Sequence, residues 1–136
     1  MNAVDTNILI YAQDPRDPTK KSVANSLIGS LSDGILFWQV ICEFVAASRK
    51  LEPFGYDCEK AFRDVREIGR SWDTVFPDWA TLDGAMKLMS QRSISFWDAL
   101  IISECLLNGV VRLYSEDLDT HNGIDGLEII NPFRSP

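Results

Sequence analysis

The sequence predicts an α/β domain with three layers, in which helices cover both faces of a central parallel sheet of about five strands. Short apolar runs alternate along the chain with longer segments whose apolar residues recur at helical spacing. Strands separated by helical crossovers pair in parallel and are covered by those helices. The chain has 136 residues, of which 46% are hydrophobic, and it contains no linker-like stretch. We therefore expect a single domain over residues 1–136.

The predicted strands are short and buried. They cover residues 1–4, 35–37, 74–76, 110–114 and 127–130. Two helical segments are predicted between the first and second strands, two between the second and third, and two between the third and fourth. Asp17, Asp57 and Asp78 precede three of these segments, and aspartate is a favoured residue at the start of a helix.

Two of the predicted helices carry further expectations. The helix after the second strand is expected to run without a break from Trp38 to Lys50. The helix after the third strand carries a tryptophan, two methionines and two smaller apolar residues at helical spacing: Trp79, Leu82, Ala85, Met86 and Met89. Such a stripe is more typical of a packed core face than of a cofactor site.

Acidic residues stand at the ends of two predicted strands. Asp5 separates the first strand from a helix, and Asp117 follows the fourth strand with Glu116 and Asp119 nearby. In an open α/β sheet, ligands bind outside the carboxyl ends of the strands, near the point where strand order reverses. The alternative for Asp5 is that it only caps the following helix.

Two more acids lie in helical segments beside predicted strands. Glu43 is a lone acid in an apolar turn, and burial of an unpaired carboxylate is costly enough to require a cation or another partner. A structural ion pair with an arginine is the alternative to a functional role. Asp98 opens the helix before the fourth strand, where its spacing from Ser95 is also that of a capping box.

These four acids can converge on one cleft. Carboxylates that lie close together raise one another's pKa unless a cation sits among them. Mg²⁺ and Mn²⁺ prefer oxygen ligands, polarise phosphoryl oxygens and lower the pKa of a bound water. The sequence therefore predicts a Mg²⁺ or Mn²⁺ site that acts on a phosphate ester.

Charge and composition restrict how the protein could bind a phosphodiester and where in the cell we expect it. The net charge of −7 disfavours long-range attraction to nucleic acid, so action on a phosphodiester needs metal ions or a local basic patch. No apolar run reaches the roughly 20 residues that span a bilayer, and no basic signal sequence opens the chain, so we expect a cytoplasmic protein without membrane attachment. Cys42, Cys58 and Cys105 lack metal-binding spacing and are expected to be reduced packing residues.

Four short motifs follow one another along almost the whole chain. They are VDTNILIY from Val4, QVICEF from Gln39 with Arg49 and Lys50 after it, WDALI from Trp97, and SEDL from Ser115. In this order the motifs resemble the PIN-domain family, and within it the VapC-type toxins of bacterial toxin–antitoxin pairs.

The resemblance implies a PIN-like fold with strand order 3-2-1-4-5 and a ribonuclease that depends on Mg²⁺ or Mn²⁺. It also implies a homodimer and inhibition by a cognate antitoxin whose C-terminal peptide covers the cleft. The family's acidic positions fall on four residues: Asp5, Glu43, Asp98 and Asp117. Its supporting polar positions fall on three others: Thr6, Asn7 and Ser115.

Roles for these residues follow as a hypothesis. Asp5, Asp98 and Asp117 are expected to hold the ion, directly or through water, with Asp119 as the reserve for Asp117. Glu43 is expected to orient or deprotonate the water that attacks an RNA phosphodiester. Basic residues that could contact RNA phosphates complete the set, with the first two as the primary candidates: Arg49, Lys50, Arg16, Lys20 and Lys21.

Three alternatives stay open at this stage. A receiver-type signalling domain also gathers acids and Mg²⁺ at strand ends, but it requires an aspartate at the end of the third strand, where this chain has Phe76 and Pro77. A non-catalytic interaction module could use the acids to bind a basic peptide. A metal-dependent DNA nuclease or phosphatase would share the ion chemistry.

Overall fold

The computed structural model describes residues 1–134 and contains five strands and six α-helices in that range. The strands are β1 (Asn2–Val4), β2 (Gly34–Phe37), β3 (Asp73–Val75), β4 (Arg112–Tyr114) and β5 (Glu128–Ile130). The helices are α1 (Thr6–Tyr11), α2 (Pro18–Ser30), α3 (Trp38–Ala47), α4 (Cys58–Ser71), α5 (Trp79–Gln91) and α6 (Phe96–Leu107). Short 3₁₀ segments cover Ser48–Phe54, Asp119–His121 and Ile124–Gly126.

The five strands form one sheet in the order β3-β2-β1-β4-β5, and every neighbouring pair is parallel. The predicted fold class and strand order are therefore confirmed. Ala3 lies at the centre of the sheet, where it is paired with Ile35 on β2 and with Leu113 on β4. Strand order reverses between β1 and β4, so the crevice outside their carboxyl ends is the expected position of a ligand site.

The helices are distributed over both faces of the sheet. From β1 the chain moves outward through β2 to β3 and then returns across the sheet to β4, and right-handed crossovers in opposite directions place their helices on opposite faces. Helix α1 packs on α2 and α3, α3 packs on α4, and α5 packs on α6. The core between these layers consists of buried aliphatic and aromatic side chains, among them Val4, Phe37 and Leu113.

Helix starts agree with the capping residues in the sequence. The side chains of Asp17, Asp57 and Asp78 accept backbone N–H bonds at the starts of α2, α4 and α5. Such caps satisfy N–H groups that have no partner within the helix. The closeness of α5 to α6 depends on Gly84, because a Cβ atom at this position would collide with Ser103.

Several predicted boundaries differ from the structure by one to three residues, and the differences at α3 and β3 have a physical reason. Helix α3 ends at Ala47, and the chain continues as a 3₁₀ segment through Lys50 to Phe54, in which Pro53 cannot donate a helical hydrogen bond. Strand β3 begins and ends one residue earlier than predicted, and Phe76 lies beyond it with 63% of its surface exposed. β3 is an edge strand, so its apolar pattern is a weaker guide to its boundaries than that of a buried strand.

The predicted apolar face of α5 is correct only at Ala85. Trp79, Met86 and Met89 are exposed, and the buried face is completed by Thr81 and Leu88. The tryptophan and the methionines are large and apolar, but the face that packs consists of smaller side chains. Of the three cysteines, only Cys105 is a packed core residue, because Cys42 and Cys58 are exposed.

Within residues 1–134, no helix is both long enough and apolar enough to cross a bilayer.

Candidate active site

The site begins at the ends of the two adjacent central strands. β1 and β4 are paired up to Val4 and Tyr114, and the next backbone N–H, that of Asp5, donates to the carbonyl of Tyr114 at 2.8 Å. Asp5 therefore leaves β1 beside the residues that follow β4, beginning with Ser115. Parallel pairing alone brings these two segments of distant sequence together.

The two oxygens of the Asp5 carboxylate have different partners. Oδ1 accepts the backbone N–H of Thr6 at 2.8 Å, which caps α1. Oδ2 accepts the hydroxyl of Ser115 at 2.9 Å and lies 3.5 Å from the Asn7 amide nitrogen. The capping alternative is therefore correct for one oxygen, while the other faces the loop after β4.

Asp117 is joined to Asp5 through neutral polar groups. Its Oδ1 lies 3.1 Å from the buried Ser115 hydroxyl and 3.3 Å from the Asn7 amide nitrogen. A serine hydroxyl has one proton, so Ser115 can donate to only one of the two carboxylates at a time. Asn7 also accepts the backbone N–H of Glu116 at 3.3 Å, which ties the loop to α1.

Glu43 reaches the site from α3. Thr6 Oγ1 donates to its Oε2 at 3.0 Å, and Gln39 Nε2 donates to its Oε1 at 2.9 Å. Among residues 1–134 no cation pairs with Glu43, so the proposed structural ion pair with an arginine is wrong. Its partners are instead neutral donors that fix the direction of both oxygens without cancelling the charge.

Asp98 stands in the first turn of α6. Its backbone N–H donates to Ser95 Oγ at 3.2 Å, as a helix cap requires. The reciprocal bond from the Asp98 carboxylate to the Ser95 backbone is not found in the described part of the chain. The carboxylate is thus not used by the cap, and it lines the same cleft as Asp5, Glu43 and Asp117.

This cleft has a volume of about 410 Å³ and is strongly acidic. Five acidic side chains and two basic side chains are among its lining residues. The acids are Asp5, Asp14, Glu43, Asp98 and Asp117, and the bases are Arg16 and Lys50.

The pKa of Asp5 reflects both its burial and the neighbouring carboxylates. Burial is the main factor that raises the pKa of its carboxyl to about 6, and the nearby carboxylates of Asp117 and Glu43 raise this pKa as well. Hydrogen bonds from Ser115 and Thr6 act in the opposite direction. A cation next to Asp5 would favour its ionised form, so the donor set suits a hard divalent ion.

The acids do not form a tight cluster in this structure. Within residues 1–134, no three His, Cys, Asp or Glu side chains stand close enough together to form a metal cluster. Asp5 and Asp117 meet through Ser115, while Glu43 and Asp98 reach the same cleft from other elements. The expected separation of a few ångströms between all four carboxylates is therefore not observed.

Of three further residues predicted for the site, one lines the cleft and two do not. Lys50 lines the cleft, but Arg49 is exposed and is not among the lining residues. Asp119 forms an ion pair with Arg134 at 2.8 Å and lies outside the cleft. The structure thus gives no support to Asp119 as a substitute for Asp117.

Sequence reasoning missed two features of the site. Gln39, which holds Glu43, lies four residues before it on the same helix, and that spacing is a recognisable signal for a side-chain pair. The second is Asp14, which is buried and binds Arg16 at the edge of the cleft. An Asp followed two residues later by Arg gives no comparable signal.

Comparison with known proteins adds a family assignment. Among curated protein sequences none matches this chain. Its fold is shared with a toxin–antitoxin complex from Klebsiella pneumoniae, at a TM-score of 0.73 and 15% identity over 99% of this chain and 100% of that one. It is also shared with the sarcin–ricin loop cleaving toxin VapC20 from Mycobacterium tuberculosis, at a TM-score of 0.72 and 13% identity over 94% and 99% of the two chains.

A third structure with this fold is VapBC-1 from nontypeable Haemophilus influenzae, at a TM-score of 0.65 and 20% identity over 98% of each chain. Identities this low establish the fold alone. The sequence profile of the PIN domain, however, matches residues 3–125, a range that contains all four central acids of the cleft. On the strength of this match over most of its length, the chain belongs to the PIN-domain family.

Proposed function

We propose that this protein is a VapC-like endoribonuclease toxin that hydrolyses RNA phosphodiester bonds with the help of Mg²⁺ or Mn²⁺. The observation that carries the proposal is the half-buried Asp5 carboxylate, whose second oxygen faces the loop of Asp117 in an acidic cleft at the sheet's switch point. Family membership supports a nuclease. RNA as the substrate is supported by one neighbour of the same fold, VapC20, which is described as cleaving the sarcin–ricin loop.

Asp5, Asp98 and Asp117 are the residues proposed to hold the ion, because all three line the cleft and none of them is paired with a cation among residues 1–134. When bound, a divalent ion would polarise a phosphoryl oxygen and favour ionisation of water. Ser115 and Asn7 orient Asp5 and Asp117 through their hydrogen bonds. These neutral donors leave the negative charge of both carboxylates available.

Glu43 is proposed to accept the proton of the attacking water. Thr6 and Gln39 each donate to one of its oxygens, so the carboxylate is held in a fixed direction at the cleft. A base needs a further lone pair that points toward its substrate, and each carboxylate oxygen has two. Thr6 therefore links two acids, since its backbone contacts Asp5 and its hydroxyl contacts Glu43.

An antitoxin is proposed as the protein partner, and a homodimer as the active assembly. Two of the neighbours that share the fold were solved as toxin–antitoxin complexes, from Klebsiella pneumoniae and from Rickettsia felis, the latter as VapBC2 bound to a promoter DNA fragment. Such a pair would act in the cytoplasm, where its RNA substrates are found.

The test compares two variants that each remove one negative charge. In purified, partner-free protein with Mn²⁺, Asp98→Asn is expected to lower the cleavage of total RNA by about 100-fold or more, the loss typical of a preorganised electrostatic group. Glu67→Gln, on the exposed surface of α4, should cleave like the parent protein. Mn²⁺ should also raise the melting temperature of the parent more than that of Asp98→Asn.

Three different results would contradict the metal ion, the RNA substrate or the enzymatic activity. Full activity after metal removal would reject the ion, and cleavage of DNA but not RNA would change the substrate. Absence of cleavage by a well-folded parent protein would leave an interaction module as the better description.

A further inference from the structure

The acidic cleft must still attract a phosphate backbone. A protein with a net charge of −7 repels nucleic acid at long range, so local positive charge has to assist binding. Arg16 and Lys50 are the two basic residues that line the cleft. Among residues 1–134, hydrogen bonds hold the side chain of Arg16 but not that of Lys50.

Asp14 fixes the guanidinium of Arg16 by a bidentate contact. Arg16 Nε donates to Oδ1 at 2.9 Å and Nη2 donates to Oδ2 at 2.8 Å, while the Arg16 backbone N–H donates to Oδ1 at 3.0 Å. The aspartate is buried, with 5% of its surface exposed, and the hydrogen bonds from Arg16 hold its pKa below the usual range. Two parallel charge-assisted bonds define the plane of the guanidinium as well as its place.

A second contact restricts the same group. The guanidinium carbon lies 5.1 Å from the centroid of the Phe54 ring, within the range of a cation–π interaction. Nη1 has no hydrogen-bond partner among residues 1–134, and 53% of the Arg16 side chain is exposed. One edge and one face are thus occupied, while the Nη1 end remains able to donate.

We propose that Arg16 binds a backbone phosphate of the RNA substrate, as a positioned guanidinium at the rim of the carboxylate cleft. This inference rests on the proposed ribonuclease function and assigns the anchor to Arg16, a secondary candidate from the sequence, rather than to Arg49, which does not line the cleft. Asp14 does not abolish the role, because it takes up only Nε and one Nη2 hydrogen and leaves three N–H groups. A positioned guanidinium suits phosphate better than a mobile ammonium does.

The experiment measures RNA binding without cleavage. In the Asp98→Asn background, a fluorescent single-stranded RNA of mixed sequence is titrated by anisotropy at several salt concentrations. Arg16→Ala should weaken binding by about 10-fold, the value of one charge-assisted hydrogen bond. It should also reduce the slope of log K against log salt by about 0.7 in magnitude. Arg70→Ala is the matched control, since Arg70 is also an exposed arginine paired with an acid, Glu67, but lies on α4.

Two further variants test whether RNA binding needs the position of the guanidinium as well as its charge, and whether weak binding results from misfolding. Arg16→Lys keeps the charge but cannot form the bidentate contact, so its binding should resemble that of Arg16→Ala. In Arg16→Ala alone, the buried Asp14 carboxylate loses its cation. The double variant Asp14→Asn, Arg16→Ala removes that unpaired charge, so it should fold like the parent and still bind RNA weakly.

The outcomes distinguish this inference from the function on which it rests. If the parent cleaves RNA and Arg16→Ala binds RNA as Arg70→Ala does, the assignment of Arg16 is wrong and the ribonuclease stands. Full binding by Arg16→Lys would also overturn the positioned guanidinium. If the parent cleaves no RNA and the Asp98→Asn protein binds none, the proposed function fails and this inference with it.

Discussion

Glu116 and Asp117 are adjacent acids on one loop, and they have opposite surroundings. Glu116 accepts Lys20 Nζ at 2.6 Å and the Tyr11 hydroxyl at 2.8 Å. Asp117 receives only neutral donors, from Ser115 and Asn7, and it faces the carboxylate of Asp5. One acid is paired with a cation within the fold, and the next has only neutral donors at the cleft.

This difference separates a structural acid from one that is available for binding. The Glu116 carbonyl also accepts the Asn131 amide at 3.0 Å, so the residue joins the loop to the segment after β5 as well as to α1 and α2. The ammonium of Lys20 offsets the charge of Glu116 within the fold. Asp117 is exposed and has only neutral donors, so its carboxylate is available to a ligand cation.

The largest expected effect tests this comparison directly. Asp117→Asn and Glu116→Gln remove the same charge from neighbouring positions, yet Asp117→Asn should lower RNA cleavage by about 100-fold or more, while Glu116→Gln should cost only a few-fold. The reason is that Glu116 affects the cleft only through the position of the loop. Single-turnover cleavage of one RNA substrate in Mn²⁺ measures both variants.

The stability of the same two variants serves as the control. Glu116→Gln should be the less stable protein, because it weakens the contact with Lys20. Equal losses of activity in the two variants would contradict the division between a structural acid and a binding acid.

The second effect concerns the pH dependence of stability in metal-free protein. Asp5 has a raised pKa of about 6, so between about pH 4 and pH 6 the native state binds more protons at this residue than the unfolded state does. The free energy of unfolding contributed by Asp5 therefore falls as pH rises through that window. A shift from 3.8 to about 6 corresponds to at most about 3 kcal/mol.

Asp5→Asn removes this titration. Its stability relative to the parent should increase from about pH 4 to about pH 7 and then stay level, as measured by urea unfolding in the presence of a chelator. The subtraction cancels the other titrating groups. A difference that does not change with pH would show that Asp5 is not strained by burial and by its acidic neighbours.

The fold was predictable because its signals are local. Strand ends, helix caps such as Asp17 and Asp57, and the alternation of short and long apolar segments are all encoded within a few residues. The strand order came from resemblance to a family, since no local signal fixes which parallel strands become neighbours. The exposed face of α5 was misjudged because Trp79 and Met86 are large and apolar, and local pattern does not show that a neighbouring helix selects smaller residues.

The acids of the candidate site and three of their neutral partners were named from the sequence and the resemblance, but Gln39 and the lysine that pairs with Glu116 were not. Asp5 and Asp117 could be placed at strand ends from sequence, and the structure joins them through Ser115. Lys20 and Glu116 are 96 positions apart in the sequence, and the sequence around neither residue predicts their contact. The choice of Asp117 over Glu116 from sequence rested on the family resemblance, and the structure supplies the physical difference, because only Glu116 is paired with a lysine among residues 1–134.

The smallest expected effect concerns Glu116, the acid that is paired with Lys20. Tyr11 donates to Glu116 and also accepts from Lys20 Nζ at 3.3 Å, while its ring lies 4.5 Å from the same Nζ. Tyr11→Phe keeps the ring and removes the hydroxyl, so it should lower the free energy of unfolding by about 1 kcal/mol. In a Glu116→Gln background the same change should cost clearly less, because the hydroxyl then bonds to a neutral amide rather than to a carboxylate. An equal cost in both backgrounds would mean that Tyr11 stabilises the protein independently of Glu116, and that this acid is held by Lys20 alone.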